Sequence, residues 1–74
     1  MSRIQSKALT TNMFKPELVF YDENVQVITT VQLETLQHLA STEGPDAAKA
    51  HVIATLESVL GELTPEEREF ALRP

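Results

Sequence analysis

The most informative feature of the sequence is an apolar stripe at helical spacing in its second half. Pro45 and Asp46 suit the first turn of a helix, because proline lacks only an N–H that would be unpaired there and an acid complements the helix dipole. The sequence therefore predicts a long amphipathic helix from about Pro45, packed through this stripe on another element. The stripe consists of Val52, Ile53, Leu56, Val59, Leu60 and Leu63.

Another helix is predicted immediately before it in the chain, which makes the helix from Pro45 the second of the two. The apolar residues of the earlier helix recur at helical spacing, and Gly44 followed by Pro45 ends it. The order Thr29-Thr30-Val31-Gln32 fits a capping box, with Thr29 as the N-cap and Gln32 at the third helical position. Ile28 and Leu33 then form a hydrophobic staple across the start of this helix. The stripe of this helix consists of Leu33, Leu36, Leu39 and Ala40.

A short third helix is predicted from Pro65. Thr64 is the expected N-cap, and Glu67 closes a capping box with it. The facing stripes of the two longer helices are expected to form the buried core. The core residues expected to be largely buried are Leu36, Leu39, Ile53, Leu56 and Leu60.

Two short β-prone runs precede the helices. They are Leu18–Tyr21 and Val25–Ile28, and Asp22, Glu23 and Asn24 form a turn-prone segment between them. This order predicts a β-hairpin. An isolated hairpin is only marginally stable in water, so one of its faces must pack on the helices. The expected fold class is α+β, with a β-hairpin packed on two antiparallel helices plus a short C-terminal helix.

The N-terminal residues show neither helical nor strand periodicity. Pro16 also disfavours a helix through Lys15. We therefore expect residues 1–13 to be a flexible N-terminal arm and residues 14–74 to be a single small α+β domain. The alternative for the arm is a strand added to the edge of the hairpin.

Composition narrows the functional classes. The chain has 74 residues, no cysteine and a net charge of −5, so disulfides and thiolate metal sites are excluded. All eleven acids lie in residues 16–74, whereas residues 1–15 carry only the bases Arg3, Lys7 and Lys15. An acidic body repels phosphate backbones, although a small nucleic-acid-associated regulator using the basic arm stays an alternative. No run is apolar enough for a membrane span or a secretory signal, which favours a cytoplasmic location.

The sequence contains few residues in patterns typical of enzyme active sites. The chain has two glycines and no phosphate-binding loop, and its two histidines, His38 and His51, lack an accompanying orienting motif. The acidic cluster of Glu66, Glu67 and Glu69 lacks calcium-loop spacing, and its first two members complement a helix start. The sequence therefore predicts no catalytic residue, no cofactor, no metal site and no enzymatic activity.

Residues 36–56 also fit the layout of a helix-turn-helix. The predicted second helix would have to present basic or amide side chains to DNA, but its N-terminal half offers only Lys49 and His51. Sequence-specific DNA binding is therefore disfavoured.

Protein interaction is the leading functional hypothesis. Adjacent aromatic residues on a strand point to opposite faces, so one of the pair at residues 20 and 21 is expected at the surface. The helical stripe is wider than one partner helix covers, which favours a homodimer through the second helix or the hairpin edge. The candidate interaction residues are Phe20, Tyr21, Val52, Val59 and Phe70.

One helix carries a family resemblance. The segments Lys49-Ala50-His51-Val52-Ile53 and Thr55-Leu56-Glu57-Ser58-Val59-Leu60 resemble one helix of the enterobacterial biofilm and acid-resistance connector proteins. The preceding helix and turn, Val31–Pro45, have a similar layout. Those proteins are small helical dimers implicated in adjusting regulatory signalling. The resemblance implies bacterial regulation by protein contact, and it assigns no individual functional residue.

Overall fold

Three antiparallel strands are followed by three helices. The computed structural model describes residues 2–73, and the strand order in the sheet is β1-β2-β3. No helix within this range is long and apolar enough to cross a membrane. The predicted α+β class, a hairpin packed on helices, is confirmed. The elements are β1 (Ser6–Asn12), β2 (Lys15–Tyr21), β3 (Val27–Gln32), α1 (Leu33–Glu43), α2 (Pro45–Leu60) and α3 (Pro65–Leu72).

The N-terminal segment departs from the prediction. An arm without secondary structure over residues 1–13 is wrong for Ser6–Asn12, because these residues form β1 and pair with β2 along their whole length. The predicted domain boundary after residue 13 falls inside this β1–β2 hairpin. The alternative of a strand added to the hairpin edge is correct. The reason is that β1 is stabilised by backbone pairing with β2, and a strand made mostly of small and polar residues shows little apolar alternation.

The predicted β2–β3 hairpin is confirmed with shifted bounds. Val25 lies in the turn with a φ of 58°, and β3 begins at Val27. The Asp22 side chain closes the turn, because its Oδ1 accepts hydrogen bonds from the N–H groups of Asn24 at 2.8 Å and Gln26 at 3.0 Å. The register shifts between the pairs Phe20–Thr29 and Tyr21–Val27, so that β3 carries one extra residue, Ile28, as a bulge.

The predicted start of the first helix is wrong. Thr29 and Thr30 belong to β3, opposite Phe20 and Val19, and α1 begins at Leu33. Gln32 is the N-cap and makes no side-chain capping bond. β-branched threonines suit a strand at least as well as a helix cap, and pairing with the central strand decides between the two.

The starts of the other two helices are confirmed. Gly44 alone links α1 to α2, and its φ of 99° is in the region that favours glycine. α2 begins at Pro45 as predicted. At α3 both halves of the capping box form, since Glu67 N–H donates to Thr64 Oγ1 at 3.2 Å and Thr64 N–H donates to Glu67 Oε1 at 2.9 Å.

The core lies between one face of the sheet and the helices. Of the five predicted core residues, only Leu56 is fully buried, whereas Leu36, Leu39, Ile53 and Leu60 are half-buried. Each helix on so small a sheet buries a narrow strip, and side chains from the sheet and from the N-terminal segment fill the rest. The core cluster consists of Ile4, Phe20, Val31, Val52, Leu56, Leu63 and Ala71.

Candidate interaction surface

The segment before β1 is fastened to the start of α3 by a buried carboxylate. The Glu67 side chain is fully buried, and the Arg3 guanidinium donates to both of its oxygens, from Nε at 2.9 Å and from Nη2 at 2.8 Å. The backbone N–H of Arg3 donates to the same carboxylate at 2.8 Å. The guanidinium also donates to the carbonyls of Leu60 and Glu62. These bonds fix where β1 enters the sheet.

The electrostatics of this pair follow from the same contacts. Hydrogen bonds from the Arg3 side chain hold the pKa of Glu67 well below its ordinary value, although burial acts in the opposite direction. The bond to Glu67 raises the pKa of Arg3 in turn. Both groups therefore stay charged, and the pair is a structural fastening of the N-terminal segment.

The outer edge of β1 is open. β1 is the outermost strand, and no strand within residues 2–73 pairs with its second edge. Asn12 and Lys15 flank a two-residue turn, and such a flanking pair exchanges both of its backbone hydrogen bonds. Because the pairing type alternates along an antiparallel ladder, Lys7, Leu9 and Thr11 direct their backbone N–H and C=O groups away from β2.

The turn of this hairpin is strained and exposed. Met13 and Phe14 have φ values of 51° and 72°, in the left-handed region that bulky side chains rarely adopt. The two residues are 85% and 98% exposed. Two-residue turns with positive φ normally use Asn-Gly or similar pairs. A turn with this backbone conformation that presents two large apolar side chains to water is energetically unfavourable in the isolated chain.

A groove with a mostly apolar lining, called here the cationic groove, lies between the inner face of the β1–β2 hairpin and the three helices. Its volume is about 510 Å³. Its polar lining residues are Lys7, Lys49 and Arg73, and no acid lines it. The apolar lining residues are Leu9, Leu18, Leu33, Leu36, Ala48, Val52, Ala71 and Leu72.

The Lys7 side chain extends from β1 to the C-terminal end of α3. Its Nζ donates to the carbonyl of Phe70 at 2.8 Å and to that of Arg73, and it lies 5.4 Å from the centre of the Phe70 ring. Burial, and secondarily the charge of Arg73, lowers the pKa of Lys7. The lysine thus compensates the negative end of the α3 dipole and keeps the groove wall positive.

The predicted interaction residues do not form one surface. Phe20 and Val52 are buried in the core, so their prediction as interaction residues is wrong: the inner face of the sheet packs directly on α2. Tyr21 is half-buried in the sheet, and Phe70 is half-buried beside Lys7 and Arg73. Val59 is 55% exposed and lines a separate depression.

Sequence reasoning missed Leu9, Met13 and Phe14. Leu9 is 63% exposed and lies on the inner face of β1, at the mouth of the groove. The signal that was present is the run of β-compatible residues from Leu9 to Thr11, which ends at two apolar residues before Pro16. It has no turn signature, because Met-Phe is an unusual pair for a tight turn.

Comparison of the chain with protein-family models, curated proteins and solved structures found no significant match. The resemblance of α2 to the connector proteins therefore stays a prediction. Function has to be inferred from the geometry and chemistry of the chain itself.

The two histidines are not brought into a cluster. His38 is exposed on α1 and His51 is half-buried on α2. Within the part of the chain that the structure describes, no group of three or more His, Asp or Glu side chains is placed to hold a metal ion. In the acidic cluster, Glu66 and Glu69 are exposed whereas Glu67 is committed to Arg3.

Proposed function

We propose that the chain is a non-enzymatic protein-interaction and regulatory module that works as a homodimer joined through the free edge of β1. The observation that supports this proposal is the edge itself, a seven-residue strand whose outer backbone groups have no partner within residues 2–73. Natural edge strands are normally blunted by charges, proline or bulges. β1 carries one charged residue, Lys7, and its side chain is turned to the end of α3.

Charge favours a second copy at this edge over other surfaces. The chain carries a net charge of −5, so two copies repel each other, but residues 1–15 contain no acid. Antiparallel pairing of two β1 strands centred on Leu9 places Lys7 opposite Thr11 of the second copy, so no like charges face each other. The acidic bodies then lie on opposite sides of a continuous six-stranded sheet, the form of contact known as β-augmentation.

The same pairing accounts for the exposed hairpin turn. In this register Phe14 lies beside the residues that precede β1 in the second copy. The ring, 98% exposed in one chain, is then partly covered. Contact of this kind offsets the unfavourable backbone conformation of Met13 and Phe14.

A nucleic-acid-associated role for the basic N-terminal residues has less support. The Arg3 guanidinium donates to Glu67 and to two backbone carbonyls, and Lys7 donates to the end of α3. Both side chains use donors within the fold, whereas Lys15 is exposed and forms no ion pair within residues 2–73.

Replacement of Thr11 by proline tests the dimer. The Thr11 N–H points away from β2 in the deduced ladder and Thr11 pairs with Pro16, so T11P removes an outward donor without breaking a bond to β2. We expect sedimentation equilibrium at tens of micromolar to give a dimer mass for the wild type and a monomer mass for T11P.

The matched control is Thr11→Val, which keeps the N–H and the β-branched shape and should stay dimeric. Circular dichroism checks that T11P keeps the fold. A wild type of monomer mass refutes the homodimer, and a folded T11P of dimer mass refutes the β1 edge as its interface.

A further inference from the structure

We infer that the cationic groove binds a short peptide segment of a partner protein that carries carboxylates beside two or three aliphatic or aromatic side chains. This inference rests on the proposed function as a protein-interaction module and names the chemistry of the partner. It concerns a surface formed within one chain by side chains on the inner face of the sheet, whereas the proposed dimer uses the adjoining backbone edge of β1.

The shape of the groove suits apolar side chains. Its volume of about 510 Å³ lies within the range of about 300–1,000 Å³ that is typical of ligand sites. Leu9 and Leu72 stand at its mouth, 63% and 37% exposed, while Val52 and Ala71 in its lining are buried. The lining therefore offers a rigid apolar base with an exposed apolar rim, to which a partner's side chains can add contact.

The charge of the groove selects an acidic partner. Three of the six basic residues of the chain line it, one each from β1, from α2 and from the residue after α3. Eleven acids are spread over the rest of the chain, yet none lines the groove. A cationic patch on a protein of net charge −5 is complementary to carboxylates and repels a basic segment.

The three cations contribute differently. Lys7 donates to the carbonyls of Phe70, Ala71 and Arg73, so it supplies charge rather than hydrogen bonds to a ligand. Arg73 pairs with Glu69 at 3.2 Å in an exposed ion pair of little strength, which a bound carboxylate can replace. Lys49 is exposed, and no acid within residues 2–73 forms an ion pair with it. Lys49 and Arg73 are therefore the residues that would bind a carboxylate.

A second copy fits the groove less well than an acidic peptide. The exposed apolar turn of the chain, Met13–Phe14, is followed by Lys15, whose charge opposes the groove. The exposed Val59 has acids near it in sequence, but seating it in the groove of another copy is a head-to-tail contact. Such a contact builds open chains of copies instead of a closed dimer.

The test uses a random 12-residue peptide library displayed on phage and selected against the immobilised protein. We expect the enriched peptides to carry Asp or Glu beside Leu, Ile, Phe or Trp. The binding of a synthesised consensus peptide is then measured by fluorescence anisotropy. Lys49→Gln should weaken it about two- to fivefold, whereas the control Lys15→Gln, the same change outside the groove, should leave it unchanged.

The apolar part of the site has its own matched pair. Leu9→Thr keeps a β-compatible residue but removes apolar surface at the groove mouth, and it should weaken binding. Val59→Thr makes a similar change at an exposed position away from the groove and should not. Weaker peptide binding by Leu9→Thr, with unchanged binding by Val59→Thr, supports the assignment of the site to the groove.

Failure of the groove is distinguishable from failure of the dimer. The monomeric T11P variant should bind the peptide as the wild type does, because one chain forms the whole groove. Enrichment of basic or uncharged peptides overturns the inference, as does equal binding to Lys49→Gln and Lys15→Gln. The inference is also overturned if laurate binds in the groove and no peptide is enriched. A further contradicting outcome is that the protein forms open polymers whose growth Lys49→Gln abolishes.

Discussion

At the scale of single residues, Glu67 performs two structural tasks with one carboxylate. It closes the capping box of α3 by accepting from Thr64 N–H, and it fastens Arg3 at the other end of the chain. A buried ion pair often fails to repay the desolvation of its charges. Here the side chain of Arg3 is 44% exposed, so most of the cost of desolvation is that of the Glu67 carboxylate. This carboxylate accepts several N–H hydrogen bonds, which offset that cost.

Replacing Glu67 by Gln is expected to reduce the free energy of unfolding by about 2 kcal/mol at pH 7, because a buried group loses its charge-assisted hydrogen bonds. The pH dependence has a definite sign. The pKa of Glu67 is lowered in the folded state, so between the folded and unfolded values the unfolded chain binds more protons. The stabilisation is fully present above the ordinary value of 4.5 and declines as the pH falls below it. Urea denaturation at pH 7 and pH 3.5 measures both effects.

The control for this prediction is Glu69→Gln on the same helix. Glu69 is 75% exposed and pairs only with the exposed Arg73, so its replacement should change stability little at either pH. Equal changes in the free energy of unfolding for the two substitutions would show that Glu67 does not stabilise the fold through its bonds to Arg3.

At the scale of elements, the sequence predicted the features that depend on interactions between residues close in the chain. The Thr64–Glu67 capping box, the Gly44–Pro45 break and the β2–β3 hairpin could be identified from sequence because each depends on residues close in the chain. The Arg3–Glu67 bond could not, since it joins residues 64 positions apart.

Strand β1 was predicted only as an alternative, and its surfaces were missed, for a related reason. Its stability comes from backbone pairing with β2 and not from an apolar face of its own. Thr29 was misassigned because the same residue type suits a cap and a strand, and only the position of the central strand distinguishes them. The cationic groove was invisible in sequence because its three cations come from separate elements.

The turn of the β1–β2 hairpin offers a test of why an unfavourable pair is present. Replacing Met13-Phe14 by Asn-Gly supplies residues that readily adopt positive φ and should raise the free energy of unfolding by about 1–2 kcal/mol. The same variant lacks the Phe14 ring, so it should dimerise more weakly than the wild type. Denaturant unfolding and sedimentation equilibrium on one preparation measure the two effects.

The matched control keeps the turn residue but removes the ring. Phe14→Ala should weaken dimerisation as Asn-Gly does, without the gain in stability, because alanine does not relieve the positive φ. A more stable Asn-Gly variant with undiminished dimerisation would show that the turn takes no part in the contact.

At the scale of the whole molecule, the distribution of charge separates an acidic body from an acid-free N-terminal hairpin. The chain is small, with extents of 34, 28 and 21 Å, so two copies joined at β1 in the proposed dimer would lie within range of each other's charge at low salt. The groove concentrates positive charge on the inner side of the same hairpin. The proposed self-association and the proposed partner binding would therefore use adjoining surfaces of one hairpin.

Salt should strengthen the dimer modestly. If the centres of two chains of net charge −5 are taken to lie one middle chain extent, 28 Å, apart, the chains repel by on the order of 1 kcal/mol at 20 mM salt and by about 0.1 kcal/mol or less at 200 mM. The dissociation constant is then expected to fall roughly fivefold over this range, as measured by sedimentation equilibrium at pH 7. An interface on the α2 surface around Val59 would bring Glu57 and Glu62 of two copies together, so its salt dependence would be far steeper. A change well above tenfold would therefore contradict pairing at β1, and a dimer that weakens with salt would contradict it as well, because that result requires opposite charges across the interface.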